Sequence, residues 1–271
     1  MTVAANPVRN VSLWLTGLII VLGAVASWGG IFLPGLYRDS QYMVAQAVGQ
    51  DVVTLFIVVP ALAVTLFYVR RGSSRATLAW IGLLGYMLYT YTTFPFGAAF
   101  NPFFLIYVAL FSLSIAAMIT ALSSLDIAVW RARFDSTTPI RSVAIFLFFI
   151  SLMVTALWLP EVIRYLMTGN LPASMVQADI PTNFVYVMDL GVVVPLAVVT
   201  GVLLWRKQPW GFVLSGLVLV KALTMGLALL MMIWYTVRVG LPLEVPPLVM
   251  SVLVTAGSLC FSIWFLRHCR Q

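Results

Sequence analysis

The chain has 271 residues, of which 62% are hydrophobic and only 8% charged. A soluble domain carries about a quarter charged residues, so this mixture cannot build a water-facing surface, and lipid is the expected solvent. The formal net charge is +7, but the basic residues sit in short connections between apolar runs, which reads as membrane topology and not as a nucleic-acid surface.

In chain order, the first apolar run, Val11–Leu33, follows Arg9 and passes Ala24-Val25-Ala26, which resembles a signal-peptide cleavage site. The uncharged stretch runs on to Tyr37, about twice a usual signal core, so it is expected to stay as a first helix. A spanning helix needs about 20 apolar residues. The further candidates are Val52–Val69, Ala76–Thr93, Phe103–Leu122, Val143–Leu159, Phe184–Trp205, Gly211–Val237 and Leu248–Leu266. The uncharged run Ala76–Leu125 is too long for one helix, and Pro95, Gly97, Asn101 and Pro102 are expected to break it into a hairpin. The predicted fold is an all-α polytopic membrane protein with eight transmembrane helices.

With eight spans, Arg9, Arg70, Arg71, Arg75, Arg131, Arg133, Arg141, Arg206, Lys207, Arg267 and Arg270 fall on one side, and only Arg38, Arg164 and Arg238 on the other. The positive-inside rule then puts both termini in the cytoplasm, with the plasma (inner) membrane as the expected location. Trp14, Trp80, Trp130, Trp205, Trp210 and Trp264 fall near the inner boundary and Trp28, Trp158 and Trp234 near the outer one, as in aromatic belts. Six of the eight acids, among them Asp39, Asp51, Glu161, Asp189 and Glu244, lie in the outer half.

Two stretches look alike. Leu33-Pro34 is followed by Arg38, and Leu159-Pro160 by Arg164; each reads as a helix end with an arginine four residues beyond the proline. Asp51 then precedes Pro60 and Arg70-Arg71, and Asp189 precedes Pro195 and Arg206-Lys207. These matches suggest two parallel four-helix repeats, residues 1–142 and 143–271, with a site between them.

Lys221 is the sharpest single feature. It lies ten residues beyond Gly211, about 15 Å into a span, where a lysine costs at least about 2.5–3.5 kcal/mol and must find a partner. Asp189 is the expected partner; the pair reads either as a substrate or proton site or as an ion pair that only fixes helix register. Tyr86, the approximate counterpart of Lys221, shares a helix face with Tyr89, Thr90 and Thr93, and such a face builds either a polar cavity or ordinary interhelical hydrogen bonds. Asp51 reads as a residue at the outer start of its helix, where a carboxylate complements the dipole. Arg38 and Arg164 read as headgroup contacts or as an outer pair for an anion. The connection Tyr165–Asn183 and the segment Gly35–Gln50 read as lids or interfacial helices.

The candidate binding residues are thus Asp189, Lys221, Asp51, Tyr86, Tyr89, Arg38 and Arg164. With two cysteines and one histidine, the chain lacks the ligands for a zinc set, a bis-histidine haem or an HExxH protease, and neither metal nor cofactor is expected. The expected partners are membrane lipids and a small molecule; nucleic acid is not expected, and the sequence names no protein partner. The first functional reading is a small-solute or ion-coupled transporter. The alternatives are an enzyme acting on a lipid or quinone through Asp51, Glu161 and Asp189, and a non-catalytic subunit or sensor.

Overall fold

The computed structural model describes residues 7–270. It is 82% helical, with no strand among the described residues. Eight long helices follow one another: α1 Pro7–Phe32, α2 Gln41–Arg70, α3 Ser74–Gly97, α4 Phe104–Ser123, α5 Ile140–Thr168, α6 Phe184–Trp205, α7 Pro209–Arg238 and α8 Val245–Arg267. All but α3 are long and apolar enough to cross a membrane, which makes this an integral, multi-pass membrane protein. Lipid-facing stripes are visible on the helices: Trp14, Leu18, Val21 and Val25 form one exposed face of α1.

α3 falls short in hydropathy because its neighbours are protein and not lipid. It packs against α2, α4 and α7, and Trp80, Ile81, Leu84, Tyr86, Met87 and Tyr91 are buried along it. Tyrosine and threonine are tolerated there because partners exist: the Trp80 indole donates to Thr16 Oγ1 at 3.0 Å. α3 and α7 meet at the centre of the bundle through glycines. A Cβ on Gly82 would press on Val220, and one on Gly216 on Leu78. Gly49 of α2 lies against the backbone of Met232 on α7 in the same way.

Several helix limits differ from those read in the sequence. α2 starts eleven residues before the predicted Val52, with Ser40 as its N-cap accepting from the Met43 amide at 3.4 Å. The segment Gly35–Gln50 is therefore no lid: most of it is helix. Asp51 sits a full three turns inside α2, so it does not cap that helix. α3 runs through Pro95, and the hairpin falls at residues 98–103, where Asp39 accepts from the Ala99 amide at 2.7 Å and Asn101 from the Phe103 amide at 2.9 Å. α5 runs through Pro160 to Thr168, so Leu159-Pro160 does not end a helix as Leu33-Pro34 does.

α2 and α6 share an unusual feature. Each contains a five-residue π turn, Thr54–Val58 and Asp189–Val193, and each turn leads into Val-Pro. Proline lacks the amide that would bond four residues back, and its ring crowds that carbonyl. The helix widens by one residue instead: Val59 N–H donates to Thr54 O and Val194 N–H to Asp189 O. Each turn is followed by a twelve-residue helical segment that ends at the basic end of the bundle.

That end is tied together by arginines. Arg9 donates to Val69 O, Arg133 to Ser74 Oγ, and Arg75 Nε to Cys269 O at 2.8 Å. The opposite, acidic end is open.

Candidate functional site

The open end leads into a cavity of about 630 Å³. Its walls come from α2, α3, α5, α6, α7 and α8. The cavity follows from unequal packing. α1 and α4 lie close along their length, whereas α5 and α8 meet chiefly at the level of Phe146, Gly257 and Phe261 and beyond it both line the cavity. Likewise α2 packs tightly on α7, while α6 meets α3 chiefly where Phe184 lies on Gly97 and where Asp189 meets Tyr89.

Asp189, Tyr89 and Lys221 all line this cavity. Asp189 opens the π turn of α6. Its Oδ1 accepts from Tyr89 OH at 2.8 Å and its Oδ2 from the Trp158 indole at 2.8 Å. Lys221, twelve residues into α7 and about 18 Å from its start, lays its ammonium over the Tyr89 ring, 4.0 Å from the centroid. The direct Asp189–Lys221 pair expected from the sequence is replaced by a three-part arrangement in which the phenol of Tyr89 holds the acid by its edge and the cation by its face. The carboxylate is already held by two neutral donors, and the ammonium rests on the aromatic face without a salt bridge.

The other predicted residues divide. Tyr86 is fully buried and bonds Thr54 Oγ1 at 2.8 Å, away from the cavity. Thr90 likewise turns to α2, accepting from Gln50 Nε2 at 2.9 Å. Thr93 does line the cavity. The face expected to carry Tyr86, Tyr89, Thr90 and Thr93 together is therefore split between the cavity and the α2–α3 contact.

Asp51 is 2% exposed and belongs to a separate cluster. Its Oδ2 accepts from Tyr37 OH at 2.5 Å. Gly30 faces this carboxylate so closely that a Cβ there would collide with it. Asp51 thus shares no space with Glu161 and Asp189, and the three acids do not converge on one reacting group.

Arg164 and Arg38 are both exposed, but only Arg164 lines the cavity. The structure does not bring the two arginines together at the site. Arg164 instead shares the mouth with Asp39, Glu161 and Glu244. The connection after α5 folds against this mouth: its short helix Ala173–Ala178 places Ser174 3.5 Å from Glu161 Oε2, which also accepts from Tyr186 OH at 2.8 Å. Trp158, which the sequence assigned to an aromatic belt, and Gln50 are the site residues that sequence reasoning missed. Neither carries a local signal, because each becomes polar machinery only through a partner on another helix.

Glu244 precedes α8 at the mouth. Partial burial, and then the Glu161 charge, push its carboxyl above the usual range. The folded state therefore favours the protonated form, and the penalty of ionisation appears as pH rises through the raised value. Glu244→Gln is expected to raise the melting temperature relative to the parent at about pH 7 and to change it little at about pH 4. Thermal unfolding of both proteins across that range checks the sign; equal curves at both values would remove the effect.

No protein family, curated protein or solved structure matches the chain. The functional reading therefore stands on this geometry.

Proposed function

We propose that the protein is a carrier for a small solute, built from two parallel four-helix halves, with the cavity between them as its substrate site. In this reading α3 is the eighth span, the basic end is cytoplasmic with both termini, and the cavity opens to the outside of the plasma membrane. The observation that carries it is a cavity of about 630 Å³ whose polar floor draws on both halves: Gln50 and Tyr89 from the first, Asp189 and Lys221 from the second.

The two π turns support the duplication. Registering one on the other sets Asp189 opposite Thr54, not opposite Asp51. It also sets Lys221 opposite Tyr86, since each lies 32 positions beyond the start of its turn. The neutral Thr54–Tyr86 hydrogen bond of the first half is thus matched by an acid and a cation in the second. At this matched position the first half packs shut, while the second brings its charges to the cavity. Irregular backbone next to a cavity and a glycine-lined crossing between the halves are what a rocking carrier uses.

A carrier exposes its site to each side in turn. In a Cys260→Ala, Cys269→Ala background, a cysteine at Met225 is expected to react with a membrane-impermeant maleimide in right-side-out and in inside-out vesicles. Reaction from the outside alone would make the protein a receptor or binding subunit. Reaction from neither side would mean a dry cavity and would end the reading.

A further inference from the structure

We infer that this cavity takes a zwitterion with a large apolar body, of the apolar α-amino-acid class. The inference rests on the carrier reading for its site and goes beyond it in naming the substrate chemistry.

Asp189 and Lys221 are opposite charges that share a cavity without neutralising each other. The Tyr89 phenol keeps them apart, with its hydroxyl on the acid and its face under the ammonium. Each Asp189 oxygen has one donor in the structure and room for another. The Lys221 ammonium has three donors, and among the described residues the contact made by it is an aromatic face, which accepts none of them fully. The site therefore offers a carboxylate and an ammonium about one phenol ring apart. That is the complement of a molecule that carries its own ammonium and carboxylate on one carbon.

Charge balance selects the same class. The pair is neutral as a unit. A ligand of one sign would leave an uncompensated charge at the depth of Lys221, which is expensive inside a membrane. A zwitterion leaves none. The mouth adds direction: Asp39, Glu161 and Glu244 against Arg164 make a negative vestibule, which draws an ammonium inward and opposes a ligand that is only a carboxylate.

The walls set the body of the ligand. Met225, Leu229, Met232, Met250 and Val254 line the cavity beside the charges. Unbranched, polarisable methionine accommodates apolar groups of varied shape. The volume of about 630 Å³ exceeds what a small polar amino acid needs and suits a large apolar side chain.

The test uses the purified full chain in lipid nanodiscs, with tritiated L-phenylalanine as the probe and phenethylamine and 3-phenylpropionate as competitors. These lack the carboxylate and the ammonium respectively. Phenylalanine is expected to bind, and each single-charge analogue to compete at least about tenfold less well, the loss of one charged hydrogen-bonded contact. Lys221→Met is expected to abolish the preference for phenylalanine over phenethylamine, and Asp189→Asn the preference over 3-phenylpropionate. The series on the unmodified protein needs no variant to fold. Equal competition by either analogue, or no binding of phenylalanine, would overturn the zwitterion. Labelling of the Met225 cysteine from both faces would survive that result, so failure of the ligand class and failure of the carrier reading are separable.

Discussion

Asp189→Leu is expected to lower the unfolding free energy by about 3–4 kcal/mol, and Lys221→Met in the same chain to recover part of that loss. Two donors, Tyr89 OH and the Trp158 indole, converge on the Asp189 carboxylate at 2.8 Å each. A hydrogen bond to a charged group contributes about 1.5–3 kcal/mol. The acid lines an open cavity and is not sealed in the core, so the lower part of the summed range applies. Leucine fills the volume but accepts nothing, so both donors lose their acceptor and Lys221 loses its nearest opposite charge. Removing that cation as well takes away a residue that costs at least about 2.5–3.5 kcal/mol at mid-span. The double variant should therefore be more stable than the sum of the two single changes predicts. Unfolding of the four proteins in one detergent checks it; strict additivity would mean that the two charges do not sense each other.

Gly49→Ala is expected to destabilise the protein by about 1–3 kcal/mol or more through overpacking, while Gly17→Ala leaves it unchanged or slightly more stable. A Cβ on Gly49 would stand 2.6 Å from Met232 Cα and 2.7 Å from Met232 N. Those are backbone atoms of α7, so no side-chain rotation can make room, and the two helices must separate. Gly17 has open space where its Cβ would point. Its replacement by alanine brings only the gain in helix propensity, up to about 1 kcal/mol. The pair is informative because both glycines lie in long apolar helices, and only the tertiary packing distinguishes them. Melting temperatures that fall equally, or not at all, would contradict the close α2–α7 approach. Since α2 and α7 both wall the cavity, separation of the two should also reshape the site, which ligand binding would report.

Much of the fold was legible from residue type alone. Each long apolar run became a helix, and the hairpin between α3 and α4 formed close to Asn101, where glycine and proline punctuate the chain. The helix ends were less legible. Polar residues at the acidic end, such as Gln41, Gln46 and Gln50, hide the fact that α2 extends by three turns, because hydropathy measures contact with lipid and these residues contact protein and cavity. For the same reason α3 has low hydropathy for so long a helix: Tyr86 and Thr90 find partners on α2, Tyr89 on α6, and Thr92 and Thr93 on carbonyls of α3 itself.

The site was legible in part. Lys221 announced itself because an ammonium at mid-span has no reason to be there without a partner. Asp189, expected as its partner by depth, lines the same cavity, and the contact that Lys221 makes is with the Tyr89 ring between them. Asp51 was placed at the outer start of its helix because its position was measured from the first apolar residue and not from Ser40, which caps it. Arg38 and Arg164 occupy similar places in the sequence but not in space, because α1 ends at Phe32 while α5 continues through Pro160 and carries Arg164 to the mouth.

The sequence by itself determined that this protein is helical and lives in a membrane, since too few charges are available for any other solvent and every backbone amide must then be satisfied within its own helix. It also determined that one cation would need company in the interior. Only the tertiary structure decided which residues face one another: that α5 and α8 part to leave a cavity where α1 and α4 close, that Tyr89 stands between the charges, and that Asp51 is sealed elsewhere. Burial is dictated by composition along one helix, whereas contact between side chains depends on how helices are rotated and spaced, and those are set by glycines and packing across the bundle.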